Sequence, residues 1–406
     1  MKKTLICLGF AVSALSLKTS AQGSPANLDV VSWNLEFFGA PFASGPADKD
    51  LQETNVKNIM SWLNADLFGL LEVVDTMRLR RVVDFLGNTE FGFTIAPYCS
   101  GNSTGTGNGW LNGQKQAFIY RKSVFSNVTT RGLMRNSATA NTNWASGRFP
   151  YLLSATATIN GTSKNVNFIL LHGKAGSGLD DFQKRAGGCA ELKDTLDTYF
   201  SSTLNFIIGD YNDALHTSIY PGSSVSSYTS LISDSTDADS YKSVTLPLGV
   251  AGQSSMINFP NVIDNHVVSN EVTPLYIPGT AQVKTDVTVV VPNYVTAHNT
   301  SDHYPVMSRY NLAGIITGLP VVTLSELGLS AGPNPFSSQL NLVASKNVND
   351  VQIRLVNAAG QVISNHRFPR MQAGSNYTIA IPDLPRGAYF LKVSTPTLRS
   401  SLQLLH

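Results

Sequence analysis

Cysteine is scarce in this sequence, with three residues in a chain of 406. Cys7 lies in an apolar N-terminal stretch, which leaves Cys99 and Cys189 in the rest of the chain. No cluster of cysteine and histidine has the spacing of a zinc site, so a zinc-stabilised domain is excluded. Two cysteines can form at most one intramolecular disulfide, and the sequence leaves both that disulfide and two separate thiols open.

Long apolar segments are absent after the N-terminus, whereas a membrane-spanning helix needs about 20 apolar residues. The stretch Leu5–Leu17 is too short to span a bilayer. Lys2 and Lys3 precede it and small residues follow it up to Ala21, which is the pattern of a secretory signal peptide. We therefore predict an exported, monomeric protein that is not stably inserted in a membrane.

The sequence also lacks a strong positive charge, because its formal net charge is +2. The signal contributes three lysines, and the chain from Val321 onward has seven basic against three acidic residues. The middle of the chain therefore carries 19 basic and 24 acidic residues. Proteins that bind nucleic acid through many phosphate contacts are usually basic. We expect this acidic region to hold nucleic acid weakly, through a bound cation and a few arginines.

Strand and helix patterns alternate up to about Ala313, which is typical of an α/β domain. The segment 100–114 is rich in Gly, Asn, Ser and Thr but lacks the Gly-Lys-Ser/Thr ending of a phosphate-binding loop, so we predict a surface loop. The predicted helices cover Leu51–Leu63, Met77–Leu86 and Phe182–Phe200. The predicted strands cover Leu67–Val73, Gln116–Tyr120, Tyr151–Ile159, Val166–Leu171, Asn205–Ile208 and the apolar run Val287–Val291.

After Ala313 the pattern changes to short runs in which apolar and polar residues alternate, as at Val351–Leu355, Tyr377–Ile381 and Tyr389–Val393. This indicates a small antiparallel β-sandwich. We predict a signal peptide at residues 1–21, a catalytic domain at 22–312, a linker at 313–327 and the sandwich at 328–406.

The sandwich contains the segments GPNPF, GQVI and LPRGAYFLKV. With these segments it resembles the C-terminal sorting domains of the type IX secretion system, and an immunoglobulin-like fold is expected. The resemblance implies contact with the type IX secretion machinery and a secreted or cell-surface location, after which the domain is removed or replaced by an anchor. The terminal SLQLLH lacks the expected basic ending. A carbohydrate-binding or protein-binding sandwich is the alternative.

Polar side chains follow several of the predicted strands. Asn34 and Glu72 each close an apolar run, Asp210 and Asn212 follow another at i, i+2, and Asp302 precedes His303 after a long loop. Any one of these has a structural explanation as a turn or surface residue. Together they form a set of oxygen ligands suited to Mg²⁺ or Mn²⁺. Such a cation neutralises a phosphate and activates water, which indicates phosphodiester hydrolysis.

The segments VSWNLE, GLLEV, LLHGKA, FIIGDYND and TSDHYPV occur in this order between Leu28 and Tyr310. With them the middle domain resembles the endonuclease/exonuclease/phosphatase superfamily, whose deoxyribonuclease I-like fold is a four-layer αββα sandwich. The resemblance implies the following site residues. Asn34, Glu72 and Asp302 are metal-site residues. Asp210 and Asn212 orient the attacking water and hold the scissile phosphate. Asp264 fixes the tautomer of His303, which polarises the nucleophile or stabilises the transition state. His172 is the second catalytic histidine, and Arg148 contacts phosphate.

Three positions depart from the family pattern. Members carry an acid that partners the first histidine, where this chain has Gln114, Lys115 and Gln116. His172 is therefore expected to be a neutral phosphate donor. Val74 occupies the position at which family members can carry an arginine that contacts DNA. Glu36 is either a second metal ligand or an exposed strand residue.

We therefore predict a secreted, metal-dependent phosphodiesterase that hydrolyses extracellular nucleic acid. A sphingomyelinase-like phospholipid or small phosphate-ester phosphodiesterase of the same fold is the first alternative. A non-catalytic surface adhesin is the second. His216, His266 and His298 lie in polar segments and are predicted to be ordinary surface or loop residues.

Overall fold

The computed structural model describes residues 23–42, 44–104, 107–233, 239–313, 322–357, 361–395 and 398–406. The chain separates into two compact units, Met1–Ile315 and Ile316–His406. The predicted signal peptide and residues 314–321 of the predicted linker lie outside the described residues. In the described part of the chain, no helix is long and apolar enough to cross a membrane.

In its described residues, the first unit contains two six-stranded sheets and a two-stranded ribbon. The strands are β1 (Leu28–Phe38), β2 (Leu67–Val73), β3 (Phe91–Ile95), β4 (Tyr98–Cys99), β5 (Ser103–Thr104), β6 (Lys115–Arg121), β7 (Phe125–Gly132), β8 (Tyr151–Ile159), β9 (Thr162–His172), β10 (Leu204–Asp210), β11 (Tyr241–Ser243), β12 (Asp264–Ser269), β13 (Gln282–Val283) and β14 (Val306–Tyr310). The first sheet has the order β13-β14-β1-β2-β6-β3, the second β11-β12-β10-β9-β8-β7, and β4 pairs with β5.

The helices of this unit differ widely in length. They are α1 (Lys49–Leu63), α2 (Thr76–Leu86), α3 (Asn108–Asn112), α4 (Ala138–Asn143), α5 (Leu179–Phe200), α6 (Thr229–Ile232), α7 (Leu246–Val250) and α8 (Tyr294–Ala297). The side chain of Asp48 caps the first amides of α1, and Asp75 does the same for α2. Both helices therefore begin directly after the loops that follow β1 and β2.

Alternation along β1 separates two cores. Val30 lies in the core shared with the second sheet, whereas Val31 and Trp33 pack among side chains of α1 and α2. At Gly69 of β2, a Cβ would lie 2.9 Å from the side chains of Ile208 and Leu170, so the two sheets pack too closely there for a larger residue.

Helix α5 adds Cys189, Leu192 and Leu196 to the core of the second sheet. The layers are thus helices, sheet, sheet and helix, which confirms the predicted αββα sandwich. The pattern-based strands and helices are confirmed with small differences at their ends. The apolar run Val287–Val291 is an exception, because Thr285–Val289 forms a 3₁₀-helix and no strand. Segment 100–114 is less irregular than expected, since it contains β5 and α3.

Cys99 and Cys189, the two cysteines that the structure describes, do not form a disulfide. Cys189 is buried on α5, where its Sγ lies 3.2 Å from Ser230 Oγ. Cys99 is buried at the end of β4. Burial raises the pKa of both thiols. Neither thiol is therefore poised as a nucleophile.

The second unit is all β in its described residues. Its strands are β15 (Leu329–Gly332), β16 (Gln339–Ala344), β17 (Val348–Asn357), β18 (Val362–Met371), β19 (Asn376–Ala380), β20 (Ala388–Ser394) and β21 (Arg399–Leu405). A three-stranded sheet has the order β15-β16-β19 and a four-stranded sheet the order β18-β17-β20-β21. Leu324 and Leu327, which fall within the predicted linker, are buried in the core of this unit. The predicted small sandwich is confirmed.

His266 is not the surface residue that its sequence context predicts. It is fully buried on β12, with Nε2 3.0 Å from Ser32 Oγ of β1 and Nδ1 2.6 Å from Ser308 Oγ of β14. The Ser308 hydroxyl donates to Tyr310 Oη at 2.9 Å. The imidazole thus bridges the two sheets through hydroxyls. The sequence around His266 does not predict this role, because its hydroxyl partners, Ser32 and Ser308, lie on strands that are distant in sequence.

We expect His266 to make the unit sensitive to acid. Burial lowers the pKa of His266 from 6.5 to about 3. Between about pH 6.5 and pH 3, the unfolded chain therefore binds a proton at His266 that the folded protein does not bind. Because proton binding stabilises the unfolded state, the free energy of unfolding decreases as the pH falls from 6.5 toward 3. Denaturant unfolding of wild type and His266→Gln, both in chelator, measures this. The stability difference between the two should shrink with acid, and a pH-independent difference would contradict the assignment.

Candidate functional site

Three of the predicted site residues lie in one row across the second sheet. His172 ends β9, Asp210 ends β10 and Asp264 begins β12. In the strand register, Asp210 is paired with His172 on one side and with Asp264 on the other. Neighbouring strands lie about 4.8 Å apart, so the three side chains start from adjacent points of one sheet edge. All three are buried.

The first sheet supplies Asn34 and Glu72 beside this row. Asn34 Nδ2 donates to Asp210 Oδ2 at 3.1 Å and to Glu72 Oε1 at 3.3 Å. Its oxygen accepts from the amide of Glu36 at 3.0 Å. In this geometry Asn34 holds two carboxylates together across the sheets. Its predicted role as a metal ligand stays a prediction.

Glu72 and the last residues of β1 have unusual backbone conformations. Glu72, Glu36 and Phe37 have φ values of 58°, 48° and 49°, which are rare for residues with side chains. The amide of Phe37 donates to Glu72 Oε2 at 3.0 Å. Such strain persists only where surrounding contacts impose it, and it is common at functional sites.

His303 is held between acidic side chains. Its Nδ1 lies 2.8 Å from Asp264 Oδ2, and its Nε2 lies 3.9 Å from Asp302 Oδ1. Burial alone would lower the pKa of His303. The negative charge of Asp264 and the hydrogen bond that Asp264 accepts from His303, together with the charges of Asp210 and Asp302, outweigh burial and raise it well above 6.5. His303 is therefore a cation near neutral pH.

Several residues that the sequence analysis did not single out fix His303 in place. Trp33 Nε1 donates to the His303 carbonyl at 2.9 Å, and the Tyr294 hydroxyl donates to the same oxygen. The Ser301 hydroxyl donates to the Asn34 carbonyl at 2.7 Å and accepts from the His303 amide at 3.0 Å. The Ser255 hydroxyl donates to Asp264 at 2.8 Å. Trp33 and Ser301 lie within the segments VSWNLE and TSDHYPV, whereas Tyr294 and Ser255 lie outside the segments on which the resemblance depends.

Arg148 and His172 form a second pair. Arg148 Nη1 lies 3.1 Å from His172 Nε2, and its Nη2 donates to the Gly173 carbonyl at 2.8 Å. Because arginine only donates, Nε2 accepts and the imidazole proton lies on Nδ1. Burial, then the charges of Arg148 and His303, lower the pKa of His172 well below 6.5. His172 is neutral at pH 7.

The positions where the family carries an acid support Arg148 and the sheets. Gln114 Oε1 accepts from Arg148 at 3.2 Å. Gln116 donates to the Leu170 carbonyl at 2.7 Å, and the buried Lys115 donates to the carbonyls of Val74 and Gly113. None of the three supplies a carboxylate to His172.

Asn212 and Glu36 occupy the rim of the site. Asn212 Nδ2 donates to Asp210 Oδ2 at 3.0 Å and to the Gly173 carbonyl at 3.3 Å. Both Glu36 carboxylate oxygens lie within 2.8 Å of His298 Nε2. Burial and the charge of Asp302 raise the pKa of Glu36. His298 is half exposed and His216 is exposed, as expected for surface residues.

The site carries more negative than positive charge. Four carboxylates, those of Glu72, Asp210, Asp264 and Asp302, face the cations of Arg148 and His303. Burial and the charge of Asp264 raise the pKa of Asp210, and Asp264 Oδ1 is buried without a hydrogen-bond partner. Oxygens of Asp210 and Asp264 and a ring nitrogen of His303 lie within 4.8 Å of one another. Because buried excess negative charge is costly, the carboxylate oxygens of this cluster fit a divalent cation, whereas the protonated ring of His303 does not coordinate one.

Comparison with known proteins identifies the second unit. Residues 331–404 match the secretion system C-terminal sorting domain. The predicted sorting domain is thereby confirmed, and it assigns the protein to secretion or the cell surface. No curated protein matches the chain.

Solved structures resemble the chain in fold. The endonuclease/exonuclease/phosphatase from Beutenbergia cavernae has a TM-score of 0.50 at 15% identity, covering 94% of this chain and all of that one. The human Nocturnin catalytic domain with bound sulfate has a TM-score of 0.47 at 16% identity, with 71% and 96% covered. The endonuclease/exonuclease/phosphatase from Bacteroides vulgatus has a TM-score of 0.47 at 14% identity, with 70% and 98% covered. At this identity, the first likeness shows the fold alone, which is that of the endonuclease/exonuclease/phosphatase proteins.

We expect Asp264→Asn to lower the pKa of His303, because loss of the Asp264 charge leaves burial less opposed. Histidine NMR titration of the metal-free protein measures the change. Wild-type His303 should stay protonated well above pH 6.5, and the variant should titrate lower. Asp302→Asn is the matched control, since Asp302 contributes less, and its shift should be smaller. An unchanged His303 pKa in Asp264→Asn would disprove the pairing.

Proposed function

We propose that the first unit is a divalent-cation-dependent phosphodiesterase that hydrolyses extracellular nucleic acid. The observation that carries this proposal is the row of His172, Asp210 and Asp264, closed by His303 on one side and by Arg148 on the other. It places two cationic groups and one neutral imidazole around a buried carboxylate. A non-catalytic adhesin would have no need for this costly arrangement.

Arg148 and His303 supply positive charge for the phosphate. Arginine suits phosphate because its planar group donates several hydrogen bonds in a fixed geometry. The raised pKa of His303 makes it a donor that stabilises negative charge as the pentavalent transition state forms. Asp264 keeps the proton on Nδ1 and leaves Nε2 facing the site.

Asp210 is the group best placed to accept a proton from water. Burial and the charge of Asp264 raise its pKa toward the neutral range, which suits a general base. Asn34 and Asn212 both donate to Asp210 Oδ2 and so orient this carboxylate. Asn212 and the neutral His172 then lie beside it as further contacts for the phosphate.

The cation would be Mg²⁺ or Mn²⁺, held by Glu72 and Asp302 with Asn34 nearby. When bound, such an ion neutralises phosphate charge and lowers the pKa of water. The absence of thiolates from the site favours a hard cation that prefers oxygen ligands. The buried thiols of Cys99 and Cys189 lie on β4 and α5, and neither of these elements carries a site residue.

The proposal is tested by incubating the full chain with plasmid DNA, RNA, sphingomyelin vesicles and bis-p-nitrophenyl phosphate. Nucleic acid should be cleaved in Mg²⁺ or Mn²⁺ and left intact in excess EDTA, because the carboxylates need a cation to accept an anionic substrate. Full activity in excess EDTA would contradict the assignment of a metal-dependent reaction. Faster cleavage of sphingomyelin than of DNA at matched phosphate would replace the nuclease with the lipid-directed alternative.

Variants keep the site assignment testable. His303→Ala should lower turnover by roughly two to four decades, the usual size of a proton-handling contribution. His216→Ala is the matched control, since His216 is exposed, and it should keep wild-type turnover. A folded His303→Ala protein with normal turnover would show that His303 has no catalytic role.

A further inference from the structure

The four-stranded sheet of the second unit has an outward face that is rich in cations. Along β17, Val351, Ile353 and Leu355 are buried, so Gln352 and Arg354 point to the other face. The strand register places Arg354 opposite Lys392 of β20, and Lys392 opposite Ser401 of β21. The neighbouring row contains Gln352, Ser394 and Arg399 in the same order.

These rows line a groove of about 390 Å³. Arg354, Lys392 and Arg399 line it together with Ser394, Ser400 and Ser401. All three basic residues are exposed. From strand spacing, their Cα atoms lie within about 12 Å of one another.

The groove has no acidic lining residue, and among the described residues none of its three cations forms an ion pair. Arg354 donates to the neighbouring Gln352 at 2.8 Å, which leaves its charge uncompensated. A fourth cation, Arg367, lies in an adjoining cavity of about 380 Å³ that shares Ser394. Its charge is already paired, because Arg367 Nη2 lies 2.8 Å from Asp350. The uncompensated charge is therefore concentrated in the groove.

The lining favours a particular kind of anion. Two arginines and several hydroxyls suit the oxygens of phosphate, because guanidinium groups bind them in bidentate fashion. No aromatic side chain lines the groove, so it offers no platform for stacking bases. It also has no exposed large apolar side chain that would insert into a membrane. These features favour an extended chain of phosphates that is contacted through its backbone.

We infer that this groove, formed by Arg354, Lys392 and Arg399 of the sorting domain, binds the phosphate backbone of nucleic acid. The first unit, with 24 acidic and 19 basic residues over the middle of the chain, is poorly suited to hold such a polymer. As long as the sorting domain remains attached to the chain, the groove supplies sequence-independent affinity that the acidic unit lacks. Only this link to substrate retention rests on the proposed hydrolysis, because the binding itself needs neither metal nor turnover.

The test measures binding of the full chain to a fluorescent oligothymidylate in EDTA, where no cleavage occurs, across a range of salt concentrations. The variant Arg354→Gln, Lys392→Gln, Arg399→Gln should bind at least about tenfold more weakly. The slope of log affinity against log salt should become shallower by about two, because each phosphate contact on a single strand contributes about 0.7. Inorganic polyphosphate should compete with the oligonucleotide for wild type, since the groove contacts phosphates and no bases.

The matched control removes three positive charges elsewhere. Lys122→Gln, Lys346→Gln, Arg386→Gln has the same net charge as the groove variant and should bind like wild type, because none of these residues lines the groove. Equal weakening in both variants would show a general charge effect and overturn the inference. Binding of wild type to anionic vesicles but not to oligonucleotide would also overturn it.

Hydrolysis of bis-p-nitrophenyl phosphate in Mg²⁺ separates the two proposals. The groove variant should hydrolyse this small diester at the wild-type rate, since the groove lies outside the catalytic residues. If neither the wild type nor the groove variant cleaves any phosphodiester, but the groove variant still binds oligonucleotide more weakly than the wild type, the proposed function fails and the inference stands. If the wild type cleaves phosphodiesters but the groove variant binds oligonucleotide as tightly as the wild type, the proposed function stands and the inference about the groove fails.

Discussion

Excess negative charge, buried where the two sheets meet, is the constraint on which the rest of the site depends. Asp210 and Asp264 are fully or almost fully buried on adjacent strands, and Glu72 approaches from the other sheet. Isolated carboxylates in such a place would be strongly disfavoured. Their neighbours are arranged to offset this cost. Asn34 bridges two carboxylates, His303 is held protonated by Asp264, and Arg148 contributes a buried positive charge.

The same constraint explains the supporting structure. The backbone strain at Glu72, Glu36 and Phe37 lets the amide of Phe37, near the end of β1, donate a hydrogen bond to Glu72. Ser301, Trp33 and Tyr294 tie the loop that carries His303 to β1 and α8. The uncharged imidazole of His266 joins the two sheets through hydrogen bonds with the hydroxyls of Ser32 and Ser308. These groups touch no substrate, but they fix the distances on which the chemistry depends.

Sequence patterns predicted much of this molecule because the strands are buried and regular. The strand Leu67–Val73 was predicted to its last residue, and the sorting domain was recognised from its turn and strand segments. Polar residues at strand ends were brought together as expected, since sheet edges gather them. The sequence pattern does not predict the register of the strands. The position of Asp210 between His172 and Asp264 depends on that register. His266 and the run Val287–Val291 were misread because local polarity and apolarity do not reveal tertiary partners.

The central claim, that these carboxylates form a cation site with Glu72 and Asp302 as its ligands, is tested most directly by thermal unfolding of wild type and Glu72→Gln in EDTA and in Mg²⁺. Removing one negative charge beside the buried Asp210 and Asp264 should leave the variant at least as stable as wild type in EDTA at pH 8, because no cation offsets the repulsion between the carboxylates there. Saturating Mg²⁺ should raise the Tm of wild type, because ligand binding stabilises the folded state, and should raise that of the variant much less. Equal Mg²⁺-induced shifts in both proteins would contradict the account.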